Sequence, residues 1–169
     1  NEKLLEFIDK LAFAGAERFS IHARKAWLNG LNPKQNRCIP PLEYEKVAQI
    51  KKYRPDLKIE LNGGLQTKDE CLNALKTFDG VMVGRAIYAD PLLWKDLDEI
   101  FFGEHKKEIT ASKILTELIP YAEKHLSENG RLWDICRHTL HLVQGVKGAR
   151  KWRSELSSKA QCPDANLKI

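Results

Sequence analysis

The sequence is thin in features that announce a chemistry. Four cysteines, Cys38, Cys71, Cys136 and Cys162, lie far apart, with no CxxC pair and no regular framework. That excludes a disulfide scaffold and leaves reduced thiols in a cytoplasmic protein as the simplest account. No apolar run approaches the roughly 18 residues that a membrane span needs, so no membrane partner is expected. Walker loop, nucleophile motif and dinucleotide fingerprint are all missing. The carboxylates Glu43, Glu45 and Glu60 show no paired spacing suited to acid–base work. His138 and His141 share a helical face near Cys136, but a closed zinc site needs further ligands, and no metal is expected. The opening Asn1-Glu2-Lys3-Leu4 is neither a signal peptide nor an initiating methionine, and Asn1 is not expected to be the start of the natural gene product.

What is present is 169 residues, 43% of them hydrophobic, enough for one or two small domains with real cores. A net charge of +5 is compatible with an anionic partner without demanding one. Leu4, Leu5, Ile8, Leu11 and Ala12 recur at helical spacing, closed by Ala14-Gly15-Ala16. Residues 18–22 alternate as a strand. A helix is predicted over 42–53, with Leu42, Val47 and Ile50 as core candidates, broken by Arg54-Pro55-Asp56. Lys58 to Leu61 reads as a strand, and Thr67 with Glu70 as a capping box opening a helix to Lys76. Residues 79–83 read as a third strand, followed by a helix after Asp90-Pro91 that carries Leu92, Leu93, Leu97 and Ile100.

Strand–helix alternation three times over is the pattern of a parallel sheet with crossover helices. Three strands leave edges and an incomplete core, so residues 1–102 read as the last part of an eight-stranded β/α barrel. Beyond Phe101-Phe102-Gly103 no strand pattern follows. Helices are predicted over 111–126, 130–143 and 146–156, a small all-α domain over 103–160, and then a frayed tail over 161–169.

The chain is organised around the long segment after the first strand. Arg24, Lys25, Lys34 and Arg37 surround Trp27 there with no acidic residue to offset them. Four cations around an aromatic suit a ligand bearing phosphates and bases; the plain alternative is a solvated basic loop. His22 ends the strand on the side where barrel chemistry is done. Asn62-Gly63-Gly64 after the second strand, and Gly84-Arg85 after the third, suit close backbone approach to a phosphate, with Arg85 adding charge. The alternative is that these glycines only permit tight turns. Arg150 and Arg153, at i,i+3 in Gly148-Ala149-Arg150-Lys151-Trp152-Arg153, project from one helical face and suit an RNA backbone, or else form a solvated basic face.

Taken together, residues 21–28 through Asn36-Arg37, then Asn62-Gly63-Gly64, then Asp79 to Arg85, closely resemble the tRNA-dihydrouridine synthases. The first motif, together with residues 148–157, is similar to the A subgroup. The resemblance covers nearly the whole chain. It implies a flavin enzyme with an FMN-bearing TIM barrel and a C-terminal helical domain, which uses NADPH to reduce the flavin. The flavin passes hydride to C6 of D-loop uridines 20 and 20a in tRNA, while a cysteine protonates C5. By resemblance His22 contacts FMN, and Asn62, Gly63, Gly64, Gly84 and Arg85 hold its phosphate. Lys34, Arg37, Arg150 and Arg153 match tRNA contacts, with Arg24 and Lys25 as further candidates.

The family's catalytic cysteine lies in the first half of the barrel, in a segment this chain does not contain, and none of its four cysteines sits in that motif. The chain therefore reads as the C-terminal half of such an enzyme, with the N-terminal barrel half as an expected partner, inactive alone and prone to self-associate through its open edges. Two alternatives stay open: a non-catalytic RNA-binding fragment, and a phosphate-site barrel enzyme acting on a small metabolite.

Overall fold

A computed structural model describes residues 2–105 and 108–168. The chain forms two compact units, Asn1–Gly84 and Arg85–Ile169. The first is α/β, with a parallel sheet; the second carries no strand among its described residues.

In the first unit the elements run α1 (Glu2–Phe13), β1 (Arg18–His22), α2 (Pro33–Asn36), α3 (Tyr44–Tyr53), β2 (Lys58–Asn62), α4 (Lys68–Ala74) and β3 (Gly80–Met82). The strands pair in sequence order, all parallel. Register pairs Phe19 with Ile59, Ile21 with Leu61 and His22 with Asn62, then Leu61 with Val81 and Asn62 with Met82. Residues paired in a parallel ladder share a face. Phe19, Ile21, Ile59, Leu61 and Val81 therefore form one apolar face, on which Ile59 and Leu61 are fully buried. Val47 and Ile50 of α3, Ile8 of α1 and Cys71 of α4 complete this core.

The opposite face carries Arg18, Ser20, His22, Glu60, Asn62 and Met82, and it stays accessible. Parallel sheets are ordinarily covered on both faces. Here polar pairs line the open one: Arg18 Nη1 reaches Glu60 Oε1 at 2.7 Å, and Asn62 Nδ2 donates to Met82 Sδ at 3.1 Å.

Charged ties hold the helix layer in place. Arg54, at the end of α3, bonds Asp56 (2.7 Å) and Asp9 of α1 (2.5 Å), which keeps its guanidinium protonated beyond the usual range. Asp79, just before β3, accepts from Lys51 Nζ of α3 (2.8 Å) and from the Ile59 N–H of β2 (2.8 Å).

The second unit runs α5 (Arg85–Ala89), a 3-10 turn (Pro91–Trp94), α6 (Leu97–Phe102), α7 (Ala111–Ser127), α8 (Leu132–Cys136) and α9 (Ala149–Ala160). The sequence is corrected here in three places. The helix expected after Asp90-Pro91 is a 3-10 turn and a separate short helix, because Asp90 caps the Leu93 N–H and Trp94 is buried, which closes the turn at once. The helix expected over 130–143 stops at Cys136. Thr139 is buried and bonds the Cys136 carbonyl through both its N–H and its hydroxyl, competing with helix continuation. The last helix starts at Ala149 rather than Val146, since Gly148 sits at φ 91, in the left-handed region. The units divide after Gly84, whereas the sequence had placed its boundary after Phe102.

Lys51 and the Ile59 N–H, with Lys58 nearby, hold the Asp79 carboxyl below its ordinary range. A depressed folded value means that this stabilisation is complete above the ordinary aspartate value of about 3.9 and is lost as pH falls through the lower folded value. Urea unfolding of Asp79→Asn is expected to show a clear loss of stability at pH 7. The gap to wild type should narrow as the pH is lowered below the ordinary aspartate value.

Candidate functional site

The C-terminal end of the sheet is built by loops that are closely fastened. After β1 the Ala23 N–H donates to the Asn62 carbonyl (2.8 Å), and the Glu43 N–H returns to the Ala23 carbonyl (2.7 Å), so the long segment between them leaves and re-enters at one place. Arg24 pairs antiparallel with Leu42. Its Nη1 donates to the carbonyls of Cys38 (3.0 Å) and Pro40, while its buried Nε has no hydrogen-bond partner. The structure thus places Arg24 as an internal strut of the loop, while Lys25, Lys34 and Arg37 are exposed.

Asn32-Pro33 opens the short helix α2, closed by a capping box in which Gln35 N–H donates to Asn32 Oδ1 and Asn32 N–H to Gln35 Oε1, both at 2.9 Å. Asn-Pro by itself signals a turn; the Asn-Pro-x-Gln spacing of a capping box is what marks a helix here.

His22 lies at the tip of β1. Its Nδ1 accepts the Arg24 N–H (3.1 Å), so in the neutral ring the proton sits on Nε2. The ring also stands against Gly63: a Cβ built there would fall 2.8 Å from His22 Cε1. Gly63 and Gly64 hold φ of 108 and 78, and a Cβ on Gly64 would meet Leu42 Cδ1 at 2.3 Å. Register and loop geometry thus bring His22, Asn62, Gly63 and Gly64 together.

Two residues that the sequence reading did not single out for this loop complete it. Tyr44 Oη donates to the Gly63 carbonyl at 2.8 Å, and burial, assisted by Glu70, pushes its phenol above the ordinary value, keeping it a donor. Glu70 accepts from the N–H groups of Gln66 (2.6 Å) and Thr67 (3.0 Å), which holds its carboxyl below the ordinary range. This confirms the predicted capping box and alters its consequence. The start of α4 is closed by its own carboxylate, so an anion here meets the glycine backbone rather than the helix end.

Gly84 follows β3 in the first unit; a Cβ there would meet nothing within 4 Å. Arg85 is the first residue of α5, in the second unit. In that unit Arg150 is exposed on the first turn of α9, which has no acidic residue, so its charge opposes the helix dipole. Arg153, three residues on, is half-buried and donates through Nη1 to the Val143 carbonyl (2.7 Å). His138 accepts Arg137 Nε on Nε2 (3.0 Å) and meets Tyr88 Oη through Nδ1 (3.0 Å), leaving it engaged in a protein network. Among the described residues no group of His, Cys, Asp and Glu is arranged to hold a metal ion, and no helix is long and apolar enough to cross a membrane. Cys38 and Cys162 are exposed, Cys71 is buried, and burial raises the thiols of Cys71 and Cys136.

A parallel sheet flanked by helices, whose strand ends carry a histidine and a left-handed double glycine, defines the class: an α/β protein that gathers polar and glycine residues at the C-terminal side of its strands. The chain belongs to the dihydrouridine synthase family, whose model, "Dihydrouridine synthase (Dus)", matches residues 1–168. It is 42% identical over 168 residues to a tRNA-dihydrouridine(20/20a) synthase of Shewanella oneidensis, covering 99% of this chain and 50% of that protein. Proteins of the same name from Pseudomonas putida (46% over 156 residues, 92% of this chain, 46% of that protein) and Vibrio cholerae (43% over 169, 99% and 52%) align similarly. The chain spans about half the length of these relatives.

Gly63→Ala is expected to destabilise the first unit by roughly 1–2 kcal/mol in urea unfolding, combining left-handed backbone strain with displacement of His22. Gly84→Ala, with open space at its Cβ, should change stability by less than about 0.5 kcal/mol.

Proposed function

We propose that the chain is the C-terminal part of a flavin-dependent tRNA-dihydrouridine synthase, comprising the last strands of a (β/α)8 barrel and a helical tRNA-binding domain. The observation that carries this reading is the placement of His22 against Gly63 at the C-terminal end of one parallel sheet. A polar, accessible sheet face beneath them suits the interior of a barrel whose other strands lie elsewhere.

The residues present fit one side of a flavin cradle. At Gly63 and Gly64 a Cβ would strike the His22 ring and Leu42, so the bare backbone lies close under both, and Tyr44 and Glu70 fix the loop from both ends. His22 is assigned to the flavin. Asn62, Gly63, Gly64 and Gly84 are assigned to the FMN phosphate. Arg85 is assigned to it on the resemblance alone. FMN, reduced by NADPH, would supply the hydride for C6 of D-loop uridines 20 and 20a.

Lys34, Arg37 and Arg150 are assigned to tRNA phosphates, with Lys25 as a further contact. Arg24 and Arg153 act chiefly by holding their neighbours' carbonyls in place. The proton for C5 is assigned, on the resemblance, to a cysteine of the family's motif, in which none of Cys38, Cys71, Cys136 and Cys162 sits. The enzyme in this reading works in the cytoplasm.

The test is tRNA binding across a salt series. Wild type should lose affinity steeply with salt, and Lys34→Ala and Arg150→Ala should each reduce the log–log slope by about 1. With FMN and NADPH added, the chain alone should form no dihydrouridine. Binding indifferent to salt and to both substitutions would refute the tRNA assignment and favour a small-metabolite enzyme.

A further inference from the structure

Trp27 is unlike the other tryptophans of the chain. Trp94 is buried at 4% exposure and Trp133 and Trp152 are half-buried, whereas Trp27 is 46% exposed and its neighbour Leu28 is 90% exposed. A large apolar pair at a loop tip is unremarkable when the loop is loose. This one is fastened. The Trp27 N–H donates to Asn36 Oδ1 (2.7 Å), and Asn36 Nδ2 donates to the Trp27 carbonyl (2.8 Å) and to the Leu31 carbonyl (3.3 Å). Both backbone groups of Trp27 are thus satisfied by one half-buried amide, which is itself anchored at the end of α2. Gly30, at φ 87, turns the chain between them. The indole is therefore presented on a fixed backbone, at little further ordering cost on binding.

What surrounds it selects the partner. From Ala23 to Leu42 the chain has no carboxylate, and Lys25 and Lys34 are exposed. An exposed tryptophan in a segment that carries exposed lysines and no carboxylate matches a single-stranded nucleic acid, where phosphates meet the cations and a splayed base meets the ring. An acidic protein surface would match the charge as well, but the RNA reading above supplies bases that stack on an aromatic ring as well as phosphates that meet the cations.

We infer that Trp27 is a stacking platform for an unpaired nucleobase of the bound RNA, held ready by Asn36. The inference rests on the RNA-binding reading above and adds a contact to a base where the lysines and arginines contact phosphates. Leu28 flanks the stacked base and excludes water from it. Asn36 touches no RNA and is a positioning residue.

The test uses the whole chain and two RNA hairpins of identical stem. One has unpaired uridines in its loop, and the other has abasic sites at those positions. Trp27→Ala is expected to weaken binding to the uridine hairpin about tenfold, the scale of losing one base–aromatic stack, with the salt slope unchanged. Trp27→Phe should recover most of the affinity and Trp27→Leu little, because a π-face rather than apolar area is required. Asn36→Ala should resemble Trp27→Ala. On the abasic hairpin wild type and Trp27→Ala should bind alike. Thermal melts should be unchanged for the Trp27 variants, since the side chain is outside the core.

Equal binding of wild type and Trp27→Ala to the uridine hairpin would overturn the inference. So would an equal loss on both hairpins, which would place Trp27 against something other than a base. If Lys34→Ala still reduces the salt slope in those cases, the RNA reading survives and only the stacking contact fails. If neither Lys34→Ala nor salt affects binding, both fall together.

Discussion

The in-register pairing of β1 with β2 is the constraint on which the site depends. Because His22 pairs with Asn62, the histidine at the end of one strand and the double glycine after the next are delivered to the same end of the same sheet face. A slip of one residue would turn His22 onto the apolar face and bring Ile21 or Ala23 against Gly63. Register is held where burial is most complete, at Ile59 and Leu61, and by the Ala23–Asn62 bond one residue beyond the ladder. The chemistry-bearing end of the sheet thus inherits its geometry from the apolar core beneath it.

Above that core each loop is tied by side chains that serve the backbone. Arg24 holds the carbonyls of Cys38 and Pro40, Asn36 holds both groups of Trp27, Tyr44 holds Gly63, and Glu70 holds Gln66 and Thr67. Loops fixed in this way cost little to order when a ligand arrives. The division of labour among cations follows. Arg24 and Arg153 satisfy carbonyls of their own chain, while Lys25, Lys34 and Arg150 are exposed.

Much of this was legible in the sequence where local chemistry decides. The alternation of Arg18 to His22, the Thr67–Glu70 capping box and the Gly15 helix end follow from residue types at short range, and the structure has them. Helix ends in the second unit were not legible. Thr139 ends α8 by turning its hydroxyl onto Cys136, and Gly148 starts α9 by adopting a left-handed conformation; neither is distinguishable beforehand from a tolerated helical residue. Candidate site residues were found from their types, but not their roles. A loop arginine reads as a ligand contact until the carbonyls it faces are known. The roles of Asn36 and Tyr44 were not legible because their partners are backbone groups, which sequence patterns do not display.

The central claim is that the first unit already forms the phosphate side of a flavin site. Titrating the purified chain with FMN and, in parallel, with riboflavin, which lacks the phosphate, tests it most directly through flavin fluorescence. The account predicts saturable FMN binding, weakened by Gly63→Ala, with riboflavin binding far more weakly. Equal affinity for the two flavins, or FMN binding untouched by Gly63→Ala, would contradict it.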